Sequence, residues 1–192
     1  MNPVPQNHNI ILASQSPRRQ ELLTKLGIPF RLQPSDVEEV YPPELKGEEV
    51  ALYLCRLKAD AFNREGIGED ILITADTIVC VDDLILGKPK DVPEASEMLK
   101  LLSGRRHEVI TGVCMRSAKK EKLFAITSSV FFKELSEAEI EFYVKEYRPF
   151  DKAGAYGVQE WIGLVGIEHI EGSYYNVMGL PVKELYEELQ KF

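Results

Sequence analysis

Cysteine is scarce in this chain: 192 residues hold three, Cys55, Cys80 and Cys114, placed singly with no CxxC pair. So odd and dispersed a set argues against a disulfide framework and points to reduced thiols in the cytoplasm. Histidine is equally sparse. His8, His107 and His169 stand at no i,i+3 or i,i+4 spacing, so a zinc site of the HExxH kind has no ligands. No apolar run approaches the ~20 residues that cross a bilayer, and the opening MNPVPQNHN lacks the basic-then-apolar order of a signal peptide. Cations are in deficit, 23 Lys+Arg against 31 Asp+Glu, for a net charge of −8. That balance argues against nucleic acids and anionic membranes as partners, because both want a cationic surface. It leaves room for one small anion in a local basic pocket. Neither a GxxxxGK P-loop nor a GxGxxG fingerprint occurs, and no GxSxG elbow anchors an acyl-transfer triad.

What remains is the ordinary mixture of a globular protein, 44% hydrophobic and 28% charged. Residues 1–8 read as a loose polar leader and 9–192 as a single domain. Residues 9–13 form a short apolar run, followed by Ser16 at a helix N-cap and Pro17 at its first position, with Gly27 ending the helix. A second strand is expected over 28–32, a helix over 47–65, and a long strand over 71–81. Residues 84–93 read as a loop, 94–102 as a helix, 108–115 and 123–132 as strands, and 136–147 as a helix capped by Ser136. The last quarter holds glycine-bearing loops at 151–157 and 172–181 between short apolar runs, then a helix over 182–189. Strands alternate with helices early and adjoin one another later, which points to a mixed-sheet α/β fold.

The first turn, Ser14-Gln15-Ser16-Pro17-Arg18-Arg19, carries the strongest chemical signal. A helix N-terminus has unpaired N–H groups and about +0.5 of a charge. Two arginines there oppose the dipole unless an anion is at hand, and a phosphate chain would satisfy both the N–H groups and the guanidinium forks. Asp76 interrupts an apolar β run, where a carboxylate needs a metal, a hydrogen-bonded partner or an open cleft. Exposed at a cleft, it suits Mg²⁺ binding or proton transfer from an attacking water. The loop acids Glu38 and Glu39 gain meaning only beside Asp76, as oxygen ligands for a hard cation. Lys88 in Gly87-Lys88-Pro89 and Lys152 in Asp151-Lys152-Ala153-Gly154 are cations in glycine loops that suit phosphate. Lys58, on a long helix, is an equally open candidate, and each lysine taken singly is as well explained by the surface.

Ser14-x-Ser16-Pro17-Arg18-Arg19, Ala75-Asp76-Thr77, Gly87-Lys88-Pro89, Asp151-Lys152-Ala153-Gly154-Ala155-Tyr156-Gly157 and Gly172-Ser173-Tyr174-x-Asn176-Val177-x-Gly179-Leu180-Pro181 together resemble the Maf family of nucleotide pyrophosphatases. The resemblance implies an elongated mixed β-sheet flanked by helices, two lobes with a central cleft, similar to the inosine-triphosphate pyrophosphatases. It implies Mg²⁺-dependent hydrolysis (with Mn²⁺ or another divalent cation as the alternative) of a nucleoside triphosphate to monophosphate and pyrophosphate, by a cytoplasmic homodimer. The Ala-Asp-Thr and Asp-Lys-Ala-Gly-Ala-Tyr-Gly runs look like the branch acting on dTTP and UTP, including modified pyrimidine nucleotides. By motif position, Asp76 is the proton acceptor and, with Glu39, a metal ligand. Ser14, Ser16, Arg18, Arg19, Lys58, Lys88 and Lys152 hold the substrate, while Arg18, Thr77 and Gln159 select the base. After Gln159, many relatives continue with a small residue where this chain has Glu160-Trp161. Two other readings stand beside this one: a 7-methyl-GTP pyrophosphatase of the sister branch, and a non-hydrolytic nucleotide-binding regulator linked to septum formation.

Overall fold

Eleven consecutive residues, Ile71–Val81, mostly β-branched or apolar, make the strand around which the chain is organised. A computed structural model describes residues 9–34 and 36–192, with Arg64 and Glu65 by main chain alone; the leader expected over 1–8 lies outside them. In chain order the elements are β1 (Ile10–Leu12), α1 (Pro17–Lys25), β2 (Phe30–Leu32), α2 (Glu48–Asp60), α3 (Arg64–Ile67) and β3 (Ile71–Val81). There follow β4 (Leu84–Leu86), α4 (Val92–Leu102), β5 (Arg106–Arg116), β6 (Glu121–Phe132) and α5 (Glu137–Tyr147). A 3-10 turn at Ala153–Ala155 precedes α6 (Trp161–Gly166), β7 (Ile167–Glu171), α7 (Tyr174–Met178) and α8 (Val182–Leu189). The sheet has strand order β2-β1-β3-β5-β6-β7, with β4 on β3. β1 pairs parallel with both β2 and β3, Ile10 opposite Ile71, whereas β4 and β7 pair antiparallel. A mixed sheet flanked by helices is thus present, as the element pattern predicts.

The chain falls into two units: residues 1–76, 111–126 and 179–192 form the first, and 77–110 and 127–178 the second. The boundary cuts β3 between Asp76 and Thr77. In the first unit Ile11, Ala13, Cys55, Ala59, Ile67, Leu72 and Cys114 form an apolar core. Gly112 on β5 lets α2 approach closely: a Cβ there would stand 2.3 Å from the Ala51 carbonyl oxygen. Arg116, only 1% exposed, is neutralised by Asp60 and Glu121, both at 2.6 Å. A buried cation needs such pairing. In the second unit α4 packs on α5 and on the 3-10 turn. α5 begins with a capping box, Ser136 Oγ accepting from the Glu139 N–H while Glu139 accepts from the Ser136 N–H.

Three expectations need correction. The loop predicted over 84–93 contains β4, because Asp82 adopts a left-handed φ of 53° and turns the chain back on β3. The helix over 47–65 breaks after Asp60 into α2 and α3. The last quarter holds α6, β7 and α7, elements of five or six residues whose order comes from packing and not from periodicity. Among the described residues no helix is long and apolar enough to cross a membrane.

Candidate active site

β1 ends at Leu12, and Ala13 and Ser14 remain buried as the chain turns toward α1. Ser14 Oγ accepts the Ser16 N–H at 3.2 Å and an Arg19 Nη1–H at 3.4 Å. Ser16 holds the N-cap position with extended backbone, but its hydroxyl makes no capping bond, so the upstream serine supplies the oxygen. Arg18 and Arg19 both lie in the first turn of α1, which contains no acidic residue. Two cations there oppose the helix dipole. Arg19 is committed further, its Nε donating to the Gly179 carbonyl at 2.8 Å. Burial pushes the Arg19 guanidinium below the ordinary arginine value; Asp76 opposes that shift, Arg18 adds to it and Glu39 opposes it.

Asp76 is 6% exposed, inside an apolar strand. Such burial needs an opposite charge, and α2 provides one. Lys58 Nζ binds Asp76 Oδ1 and lies 2.9 Å from Glu39 Oε1. The two carboxylates expected to act together therefore meet on one ammonium, and the loop acid that does so is Glu39. One neighbourhood of the first unit gathers Ser14, Arg18, Arg19, Glu39, Lys58 and Asp76. Among the described residues no group of three or more His, Cys, Asp or Glu is placed to hold a metal ion. Two hard carboxylates are nonetheless what Mg²⁺ commonly takes, water and substrate phosphate completing its shell, so this donor set fits.

The remaining expected residues belong to the second unit. Thr77 follows Asp76 on β3, so its side chain points to the other face. Lys88 is exposed in the loop after β4, and the Gly87 carbonyl beside it accepts the Gly154 N–H at 3.1 Å, joining two of the glycine motifs. Within the second of these, Gly154 at φ 68° and Ala155 at φ 59° are both left-handed. Lys152 is held by two carboxylates. It is 7% exposed, with Nζ 2.7 Å from Asp151 Oδ1 and 3.0 Å from Glu160 Oε1. Gln159 is exposed. Asn176, in the Gly172–Pro181 motif, is buried and ties α7 to β5 and β6: its Nδ2 donates to the Val109 carbonyl and to Ser128 Oγ, both at 3.0 Å. Sequence reasoning passed over Glu160 as a partner of Lys152 and Gly179 as a partner of Arg19, since neither pairing has a sequence-local signal.

A family model described as Maf-like protein matches residues 9–192. The dTTP/UTP pyrophosphatase of Porphyromonas gingivalis strain ATCC 33277 is 53% identical over 188 residues, covering 96% of this chain and 94% of that protein. Proteins of the same name from Phocaeicola vulgatus and Bacteroides thetaiotaomicron are 49% and 51% identical, over 97% and 96% of both chains respectively. The solved Staphylococcus aureus Ham1 protein superposes with a TM-score of 0.50 at 18% identity, covering 95% of this chain and 98% of that one, a likeness of fold alone. The match begins within a residue of β1 and continues to the C-terminal residue, taking in each motif in order: the chain belongs to the Maf family.

Proposed function

We propose that this protein hydrolyses dTTP and UTP to the monophosphate and pyrophosphate, with Mg²⁺ as its cation. The observation that carries the reading is the Lys58 ammonium joining the carboxylates of Asp76 and Glu39, next to the Arg18–Arg19 turn. The names of relatives about half identical over nearly their whole length support the substrate. Ser14, Ser16, Arg18, Arg19 and the N-terminus of α1 receive the triphosphate, whose charge offsets the two arginines. Lys58 has three N–H donors and turns one to a phosphate oxygen while keeping Asp76 in place. Asp76 takes the proton of a water whose oxygen bonds to the α-phosphorus as the bond from that phosphorus to the bridging oxygen breaks. Pyrophosphate leaves with that electron pair. Asp76 and Glu39 are the residues to hold Mg²⁺, which when bound neutralises charge growing on the phosphate oxygens.

Arg18, Thr77 and Gln159 are assigned to the base, and Lys88 to phosphate. Lys152, doubly paired, is the weakest of the assigned phosphate ligands. Cys55, Cys80 and Cys114 are buried free thiols, as suits a reducing cytoplasm, and the active species is assigned as a homodimer, which sedimentation velocity measures. The deciding experiment is pyrophosphate release from dTTP, UTP, CTP, GTP and 7-methyl-GTP, each with Mg²⁺ and with excess chelator. Release from dTTP and UTP only with Mg²⁺ is expected. Release confined to 7-methyl-GTP would move the chain to the sister branch, and binding of nucleotides without release would make it a regulator.

A further inference from the structure

Glu160 stands at the N-cap of α6, yet its side chain makes no capping bond there. Both of its carboxylate oxygens are spent elsewhere. Oε1 lies 3.0 Å from Lys152 Nζ, and Oε2 accepts the Tyr143 hydroxyl. Tyr143 is fully buried on α5, and its oxygen accepts the Gly157 N–H at 3.0 Å. Burial and the adjoining carboxylate push the Tyr143 phenol above its ordinary value, so it remains a donor. The Glu160 main chain closes the same turn: its N–H donates to the Gly157 carbonyl at 3.0 Å, and its carbonyl accepts from Gly163 at 2.9 Å.

There is no slack in this arrangement. A Cβ on Gly157 would stand 2.7 Å from Glu160 Cδ, and one on Gly163 would stand 2.0 Å from the Val158 carbonyl oxygen. Trp161, the next residue, packs edge-on against Phe142 of α5 with ring centroids 4.8 Å apart. Residues 154–158 are buried throughout, and the first exposed side chain after them is Gln159. An exposed amide is thus carried on a turn held at both ends by the one carboxylate.

We propose that Glu160 is a positioning residue that, through Tyr143 and Lys152, fixes the turn carrying Gln159 and thereby sets the preference for uracil and thymine over cytosine. The inference rests on the assignment of Gln159 to the base. Uracil and thymine present an N3–H donor beside the O4 acceptor, whereas cytosine presents an N3 acceptor beside an N4 donor. A terminal amide offers one carbonyl and one NH₂, so which edge it matches depends on how its stem is aimed. A rigid turn restricts that aim, and a loosened one admits both edges. Lys152, on this account, is a structural cation of the turn.

The test compares wild type, Glu160→Gln and Tyr143→Phe with UTP and CTP. Glu160→Gln is nearly isosteric and still accepts the Tyr143 hydroxyl, but it presents no charge to Lys152. Tyr143→Phe leaves that charge and removes the hydroxyl. In each variant the ratio of kcat/KM for UTP over CTP is expected to fall about tenfold, mostly through KM, with kcat for UTP within about twofold of wild type. Binding of the non-hydrolysable α,β-imido analogues of UTP and CTP, read by calorimetry, is expected to show the same loss of preference. An unchanged ratio in both variants, or an equal loss for both nucleotides, overturns the proposal and leaves Glu160 a purely structural residue. Wild type that releases no pyrophosphate from UTP overturns the proposed function instead, and the binding ratios then decide the role of Glu160. Wild type that binds both analogues equally overturns the proposal, since there is then no preference for the turn to set.

Discussion

Lys58 and Asp76 form an ion pair between α2 and β3, with both side chains at most 15% exposed. Removing one member of a buried pair strands the other charge, at a typical cost of about 3–5 kcal/mol. Lys58→Met is therefore expected to lower the unfolding free energy by about 3 kcal/mol, because Asp76 is left buried in an apolar strand. Asp76→Asn should cost less, since Lys58 retains Glu39. The double variant should be more stable than Lys58→Met alone. Urea unfolding of the three variants measures this cycle, and strictly additive losses would show that the two side chains are not coupled.

Turnover depends on the same pair in a different way. Asp76→Asn keeps the shape of the side chain but cannot take a proton, so pyrophosphate release from UTP should fall by about 10³-fold while the far-UV spectrum stays that of wild type. Near-wild-type activity would remove Asp76 from the reaction. Arg18→Ala should bring a general loss together with an altered order of preference among the nucleotides. A change in thermal stability alone would make that turn an ordinary helix start.

Much of this cluster was legible in the sequence for physical reasons. A carboxylate in the apolar run Ile71–Val81 signals itself, because burial there demands a partner, and the bounds of β3 and α8 follow from composition and spacing. Two arginines against a helix dipole signal themselves in the same way. Residue chemistry alone does not separate Glu38 from Glu39; motif position favours Glu39, and the physical reason, where α2 brings Lys58, lies outside the local sequence. The capture of Lys152 was not legible: a lysine among glycines reads alike whether it faces a phosphate or two carboxylates, and the deciding residue, Glu160, lies eight positions on. The short elements α6, β7 and α7 escaped because periodicity cannot build over five or six residues.

His107 supplies a pH dependence unrelated to the charged cluster. It is 1% exposed, with Nε2 2.7 Å from the Tyr156 hydroxyl and edge-on ring contacts to Tyr156 and Phe132. Burial lowers its pKa to about 4, against the 6.5 of an ordinary histidine, although the Arg105 backbone opposes the shift. Tyr156 is pushed upward by burial and stays a donor, so the neutral ring accepts its proton. Between those two values the unfolded chain binds the proton that the folded one refuses, so stability is full above pH 6.5 and falls as pH drops toward 4. The loss approaches about 3 kcal/mol. In thermal unfolding across that range, His107→Gln should be less stable than wild type at pH 7.5 and show a shallower slope below it. A slope equal to wild type would assign the pH dependence to other groups.

Gly112 tests whether the site depends on how closely α2 lies on β5. A Cβ at this position would run into the Ala51–Leu52 peptide group of α2, 2.3 Å from the Ala51 oxygen, 2.5 Å from its carbonyl carbon and 2.9 Å from Leu52 N. None of these atoms is the end of a flexible side chain, so either the helix moves or the strand distorts. Overpacking of this kind typically costs about 1–3 kcal/mol. Lys58 is on the same helix, two turns beyond Ala51, and any displacement of α2 shifts its ammonium relative to Asp76 on β3. Gly112→Ala is thus expected to lower stability by about 2 kcal/mol or more and to depress kcat for UTP as well. Gly87→Ala is the control: a Cβ there has nothing within 4 Å, and the residue lies in the exposed loop beside Lys88. It should change stability by no more than about 0.5 kcal/mol. If Gly112→Ala loses stability but turns over UTP at the wild-type rate, the position of Lys58 tolerates movement of its helix, and the ammonium is not the precise joint between the two carboxylates that its geometry describes.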